Sequence, residues 1–184
     1  MPAEFHYFPF DDGPGEDSME NRWEAMMQYM RTTGILIPWD QSSLEPSTGD
    51  LAITANGGLS VQSAVGEGWV HGFMFQQQTD YYSITISPNS SGEDRIDLVT
   101  ARLDTDANTI VIHVEEGTPS MSPVAPTPVE SDPIWDLPLA EVYVEDSAVT
   151  ILPDNITDLR VISTQGAGGS SSVTLASAGG DETL

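Results

Sequence analysis

Apolar and polar positions change rhythm along the chain near residue 34. Before that point, Trp23, Met26, Met27 and Met30 recur at i, i+3, i+4 and i+7, the spacing of one helix face. Asp17 suits an N-cap with Glu20 three residues on, and Gly34 suits the stop. The pattern predicts one α-helix whose apolar stripe packs within a subunit or between subunits. After residue 34 the period shortens to two, as in Leu59, Val61, Ser63 and Val65 or Ile110, Ile112 and Val114. Strands are expected over 51–54, 59–65, 69–76, 81–87, 95–103 and 110–115, with turns at 57–58, 66–68 and 88–92. Such spacing predicts a mainly β protein, an antiparallel sandwich or barrel over 35–162, preceded by an extended arm and one helix.

The stretch 117–133, GTPSMSPVAPTPVESDP, carries five prolines and cannot be a central strand. It is expected to cross a surface in extended form. Further short strands are expected at 134–137, 140–144 and 149–152, with a turn or short helix over 155–160. Residues 1–34 read as an arm and helix for docking and oligomerisation, and the Gly/Ser-rich 163–184 as a flexible tail. The arm is aromatic, with Phe5, Tyr7, Phe8 and Phe10 in FHYFPF, too apolar for a free tail and suited to docking on a neighbour.

Charge narrows the choices. The formal net charge is -24, with no lysine and only five arginines. Phosphate backbones and anionic lipid surfaces are repelled, so neither nucleic acid nor membrane insertion is expected as a partner. No run reaches the roughly 18 apolar residues of a membrane span, and the first residues lack the basic and apolar regions of a secretory leader. Molar salt shortens the Debye length to about 3 Å and removes the self-repulsion. Acid excess without lysine therefore predicts a saline environment.

Candidate chemistry is sparse. Cysteine is absent, and His6, His71 and His113 form no ligand pair, so no thiolate, zinc or other cofactor is expected. Neither a phosphate-binding GxxxxGK[ST] loop nor a GxSxG elbow is present. The stretch DTDANTIVIHVE, 104–115, imitates a calcium-binding EF-hand loop but has Thr109 where the sixth-position glycine belongs. Its β-branched run predicts a hairpin instead: strand 95–103, turn 104–108, strand 109–115. Arg95, Asp97 and Arg102 stand in a strand suited to burial, which predicts structural ion pairs, and Asp158 with Arg160 suggests another.

Taken in order, several segments carry a resemblance: DDGPGEDSMENRWEAMMQYM with GIL, DLAITANGGLSVQSAVGEGWVHGFMF, DRIDLVTARLDTDANTIVIHVEEGTPSMSPVAPTP, and DPIWDLPLAEVYVEDSAVTILPDNITDLR. Together, over most of 11–160, they resemble tail or baseplate proteins, and virion-attachment domains of tail fibres, from tailed viruses of bacteria and archaea. The resemblance implies a β-sandwich module at the tail tip, commonly a homotrimer, with other tail or baseplate proteins as partners and no catalytic residues. It implies virion localisation after assembly in a host cytoplasm. Nothing resembling a long fibre follows Arg160, so an adaptor role is expected rather than direct host contact. A different class remains open: a carbohydrate-binding module recognising host-surface glycan, with Trp39, Trp69, Tyr81, Tyr82 and Trp135 as stacking platforms. A glycosidase-like depolymerase would need two carboxylates facing each other across a cleft about 5–9.5 Å wide, for which the pattern gives no sign.

Overall fold

The computed structural model describes residues 20–37, 46, 49–78 and 81–164. Phe5, Tyr7, Phe8, Phe10, Trp39 and 165–184 lie outside the described residues, as does the side chain of Trp23. The chain is mainly β, with antiparallel sheets after a single α-helix, α1 (Glu20–Gln28). The strands form three sheets. One orders β1 (Gly34–Leu36), β4 (Gly66–Val70) and β5 (Phe73–Gln77). The second orders β2 (Ile53–Ala55), β3 (Ser60–Ser63) and β6 (Tyr82–Thr85). The third and largest orders β11 (Ile156–Asp158), β10 (Ile134–Val144), β7 (Arg95–Asp104) and β8 (Thr109–Glu115), with β9 (Glu130–Ser131) beside β10.

All three sheets share one core. Ile35 and Val70 enter from the first, Ile53, Val61 and Ile84 from the second, and Val99, Ala101, Leu103, Leu137 and Val142 from the third. The long β7–β10 pair is the spine of this arrangement. Odd-numbered residues of β7 turn into the core. On its other face Leu98 and Thr100 are also buried, so the middle of β7 is covered on both faces. The proline-rich crossing is anchored near both ends of this pair. Gly117 N–H donates to the Asp97 carboxylate at 2.9 Å and Ser120 N–H to the Asp94 carbonyl at 2.9 Å. At its far end Val129 exchanges bonds with Asp136, through its carbonyl to the backbone N–H at 2.8 Å and through its own N–H to the carboxylate at 2.9 Å.

The expected hairpin is present as β7, turn and β8. Ala107 N–H donates to Asp104 Oδ1 at 2.9 Å, and Asn108 has φ of 52°. That is the turn chemistry of Asp and Asn. Glu115 pairs in register with Leu98, at the far end of β8 from this turn.

Elsewhere the pattern needs correction. The helix ends at Gln28, not at Gly34, so Met30 lies beyond it. Gly34 begins β1, where a Cβ would collide with the backbone of Ile162 and Ser163. Ile35 N–H donates to the Val161 carbonyl and Ser163 N–H to the Ile35 carbonyl, at 2.8 Å each, so the glycine serves close approach rather than termination. The expected turn at 66–68 is instead part of β4. The expected strand 69–76 breaks at His71 and Gly72, whose φ values of 45° and 91° make the left-handed turn joining β4 to β5. The strands expected at 134–137 and 140–144 are one, β10, with a register shift between Pro138 and Ala140. Pro138 is tolerated because β9 and β11 pair with β10 on either side of it, not at it. Residues 149–152 form no strand, although Ile151 is buried and its N–H donates to the Gly58 carbonyl at 2.9 Å. After the 3-10 turn Pro153–Asn155, the β-branched Ile156 and Thr157 enter β11, where a turn or short helix was expected.

Candidate interaction site

Residues two apart on a strand share a face, which puts Arg95 and Asp97 side by side. Arg95 is 2% exposed and binds the Asp97 carboxylate in bidentate fashion, Nε to Oδ1 at 2.8 Å and Nη2 to Oδ2 at 3.1 Å. Its remaining donors reach the carbonyls of Ser87 at 2.6 Å and Pro88 at 3.2 Å. The pair ties the segment after β6 to β7 and, through Gly117, to the start of the crossing.

Arg102 does not pair with Asp97. It lies on the opposite face of β7 and meets Asp136, its register partner on β10, with two bonds of 2.8 Å. Glu115 lies 3.2 Å away, and His113 Nε2, the acceptor of an Arg102 bond, 2.8 Å away. Burial works to raise the Asp136 carboxyl, but Arg102, the Val129 N–H and the Thr100 hydroxyl together hold it below the ordinary carboxylate value. Asp158 and Arg160 form a third, separate pair at 2.6 Å, and Arg160 also donates to the carbonyls of Gly49 and Asp50. The bonds from Arg160 hold the Asp158 carboxyl down as well. Asp94, unremarked in the sequence, accepts from the Tyr143 hydroxyl and the Asp146 N–H, which lower it and raise Tyr143.

The Arg95–Asp97 and Arg102–Asp136 pairs are turned inward. Each carboxylate just described already accepts from a guanidinium, a hydroxyl or a backbone N–H. The surface at the end of the molecule near α1 differs. His71, in the β4–β5 turn, stacks on Trp135 with centroids 3.4 Å apart. Its Nε2 lies 2.8 Å from Glu24 and 2.9 Å from Gln28, both on α1. This clasp sets the helix against the sheets through a polar edge. Met26 and Met27 are half-buried, while Tyr29 and Met30 are exposed at 79% and 57%. Next to the clasp, Phe73 and Met74 of β5 and Leu103, Thr105, Asn108, Thr109 and Ile110 of the β7–β8 hairpin line a recess of about 140 Å³. Among described strands, β5 and β8 are terminal in their sheets.

No protein-family model matches this chain, and no curated protein or solved structure matches it either.

The residues expected as glycan platforms do not converge on one described surface. Trp69 is half-buried in β4 with a buried Nε1 that meets no partner among the described residues, and Trp135 has one ring face covered by His71. Tyr81 and Tyr82 are exposed at the start of β6, in another sheet. The sequence missed the recess and clasp altogether; the only signal was His71-Gly72 interrupting an apolar run.

Proposed function

We propose that this chain is a non-enzymatic structural subunit of a viral tail tip or baseplate, an oligomeric adaptor for tail fibres. One observation carries the assembly reading. The buried charges described above are paired internally, while Tyr29, Met30, Met74 and Val111 stand exposed and a recess lined in part by Phe73, Met74, Leu103 and Ile110 opens between β5 and the β7–β8 hairpin. Large apolar side chains left in water mark contact sites when they cluster with open sheet edges. The viral assignment rests on the sequence resemblance, whose RIDLV and LPLAEV segments are the paired spine strands β7 and β10. The particle would be the place of action, in a high-salt host. Among the described residues, no helix is long and apolar enough to cross a membrane.

Oligomerisation is the testable part. Light scattering in roughly 1 M salt, where the Debye length is about 3 Å, should give the mass of a trimer. A monomer at micromolar concentration would contradict the oligomeric reading.

A further inference from the structure

We infer that the proline-rich crossing is a modification site, with the hydroxyls of Thr118, Ser122 and Thr127 as acceptors of O-linked neutral sugars. The inference stands apart from the tail reading and requires neither a trimer nor a virus.

Backbone geometry comes first. Pro119, Pro123, Pro126 and Pro128 each fix their own φ near about -65° and push the residue before them to an extended conformation. Thr118, Ser122 and Thr127 each stand directly before one of these prolines. No helix or strand covers 117–129. Among the described residues, no backbone–backbone hydrogen bond begins or ends within 121–128. Exposure instead recurs every third residue, at Thr118, Met121, Val124 and Thr127, while the four prolines are half-buried. Three residues per turn is the period of polyproline II, so the prolines lie on the body and one edge looks outward over roughly 28 Å. Ser122 is exposed as well, beside Met121. The bonds of Gly117, Ser120 and Val129 fix both ends of the ribbon.

The three hydroxyls are free to react. None of them bonds to another group among the described residues. Thr100, Thr105 and Ser163 differ, since their hydroxyls donate to Asp136, the Pro133 carbonyl and the Thr32 carbonyl. A transferase must draw its acceptor into a cleft, which a hydroxyl inside a paired strand cannot enter and one on an outward, unpaired ribbon can. Ser and Thr interleaved with Pro is also the composition of O-glycosylated stalks. In the step, the hydroxyl oxygen attacks the anomeric carbon of a sugar nucleotide. The bond from that carbon to the donor's phosphate oxygen breaks, and the nucleotide leaves with the electron pair. The hydroxyl proton passes to a base of the transferase.

Charge and surface chemistry select a neutral sugar over a phosphate. Residues 117–129 carry no charged side chain in a molecule of net charge -24. A phosphoryl group would add about -1.5 to -2 at each site, between the exposed Glu116 and Glu130 at the two ends. A neutral sugar adds no charge. It also brings hydroxyls and an apolar ring face to an edge where Met121 is 90% and Val124 78% exposed. Those two side chains lie between Thr118 and Thr127 on the same edge. Sugars there cover apolar surface that is otherwise left in water.

The test is the mass of the native chain, purified from the cells that produce it and measured intact, then mapped by fragmentation that keeps labile groups attached. A mass excess of whole saccharide units is expected, carried at Thr118, Ser122 or Thr127. The excess should vanish in the combined variant Thr118→Val, Ser122→Ala and Thr127→Val. Because these hydroxyls hold no other group, that variant should unfold at the temperature of the unmodified parent. If it does not fold, the parent's own mass still decides. An unmodified mass would overturn the inference. So would phosphate in place of sugar, or sugars placed equally at the exposed Thr150 and Thr157, which precede no proline. Particles containing an unmodified chain would sink this inference and leave the tail reading standing. Sugars on a chain absent from particles would do the reverse.

Discussion

Asp97→Ala is expected to lower the unfolding free energy by about 3–5 kcal/mol, the cost of leaving a buried charge without its partner. Arg95 is 2% exposed and would keep its guanidinium inside the fold with two backbone carbonyls and the half-exposed Glu116 carboxylate, 3.5 Å away, as its remaining partners. The Gly117 N–H would lose its acceptor as well. Total stabilities of single domains are only about 5–15 kcal/mol, so the change should remove a large share. Urea unfolding in molar salt is the measurement, since screening there removes the general repulsion of the acidic surface. Replacing both partners by apolar residues, Arg95→Met with Asp97→Leu, should restore part of the loss, because the desolvated charge disappears with its partner. A loss below about 1 kcal/mol for Asp97→Ala would place the pair among surface ion pairs of little consequence.

Arg102→Met should change both stability and its slope with pH. Asp136 is 4% exposed, and its carboxyl is held below the ordinary value despite burial. A carboxyl with a depressed folded value stabilises above its unfolded value of about 3.9, and this contribution is lost as pH falls through the folded value. The parent protein should therefore lose stability on the acid side of about pH 4. Without Arg102, burial acts against fewer opposing contacts, and the Asp136 value rises. The variant should be weaker at neutral pH by about 3–5 kcal/mol. It should then lose less than the parent between roughly pH 5 and pH 3. Thermal unfolding across that range in molar salt checks both statements, and parallel curves would contradict the role given to Arg102.

The β character and the β7–β8 hairpin were legible because they are local. Alternation, Asp104 and Asn108 fall within a short window, and the side chains that make the turn are the ones that reveal it. Arg95 and Asp97 were legible for the same reason, as neighbours on one face. Asp136 was not, because it reaches Arg102 from 34 residues away, by a register that only the folded sheet defines. Gly34 misled because a glycine that ends a helix and one that lets two backbones approach look alike in sequence. The break at His71-Gly72 was hidden because both flanking strands are apolar. The recess joins β5 to a turn some thirty residues later, and no periodicity announces a cavity assembled from distant parts.

We propose that this chain is a repeated structural part of a viral tail. The decisive measurement is mass spectrometry of tailed particles purified from the cells that produce the chain, together with labelling by an antibody to β7–β8. Peptides from the chain are expected at several copies per particle, with label confined to one end of the tail. Intact, infectious particles that lack the chain would contradict it.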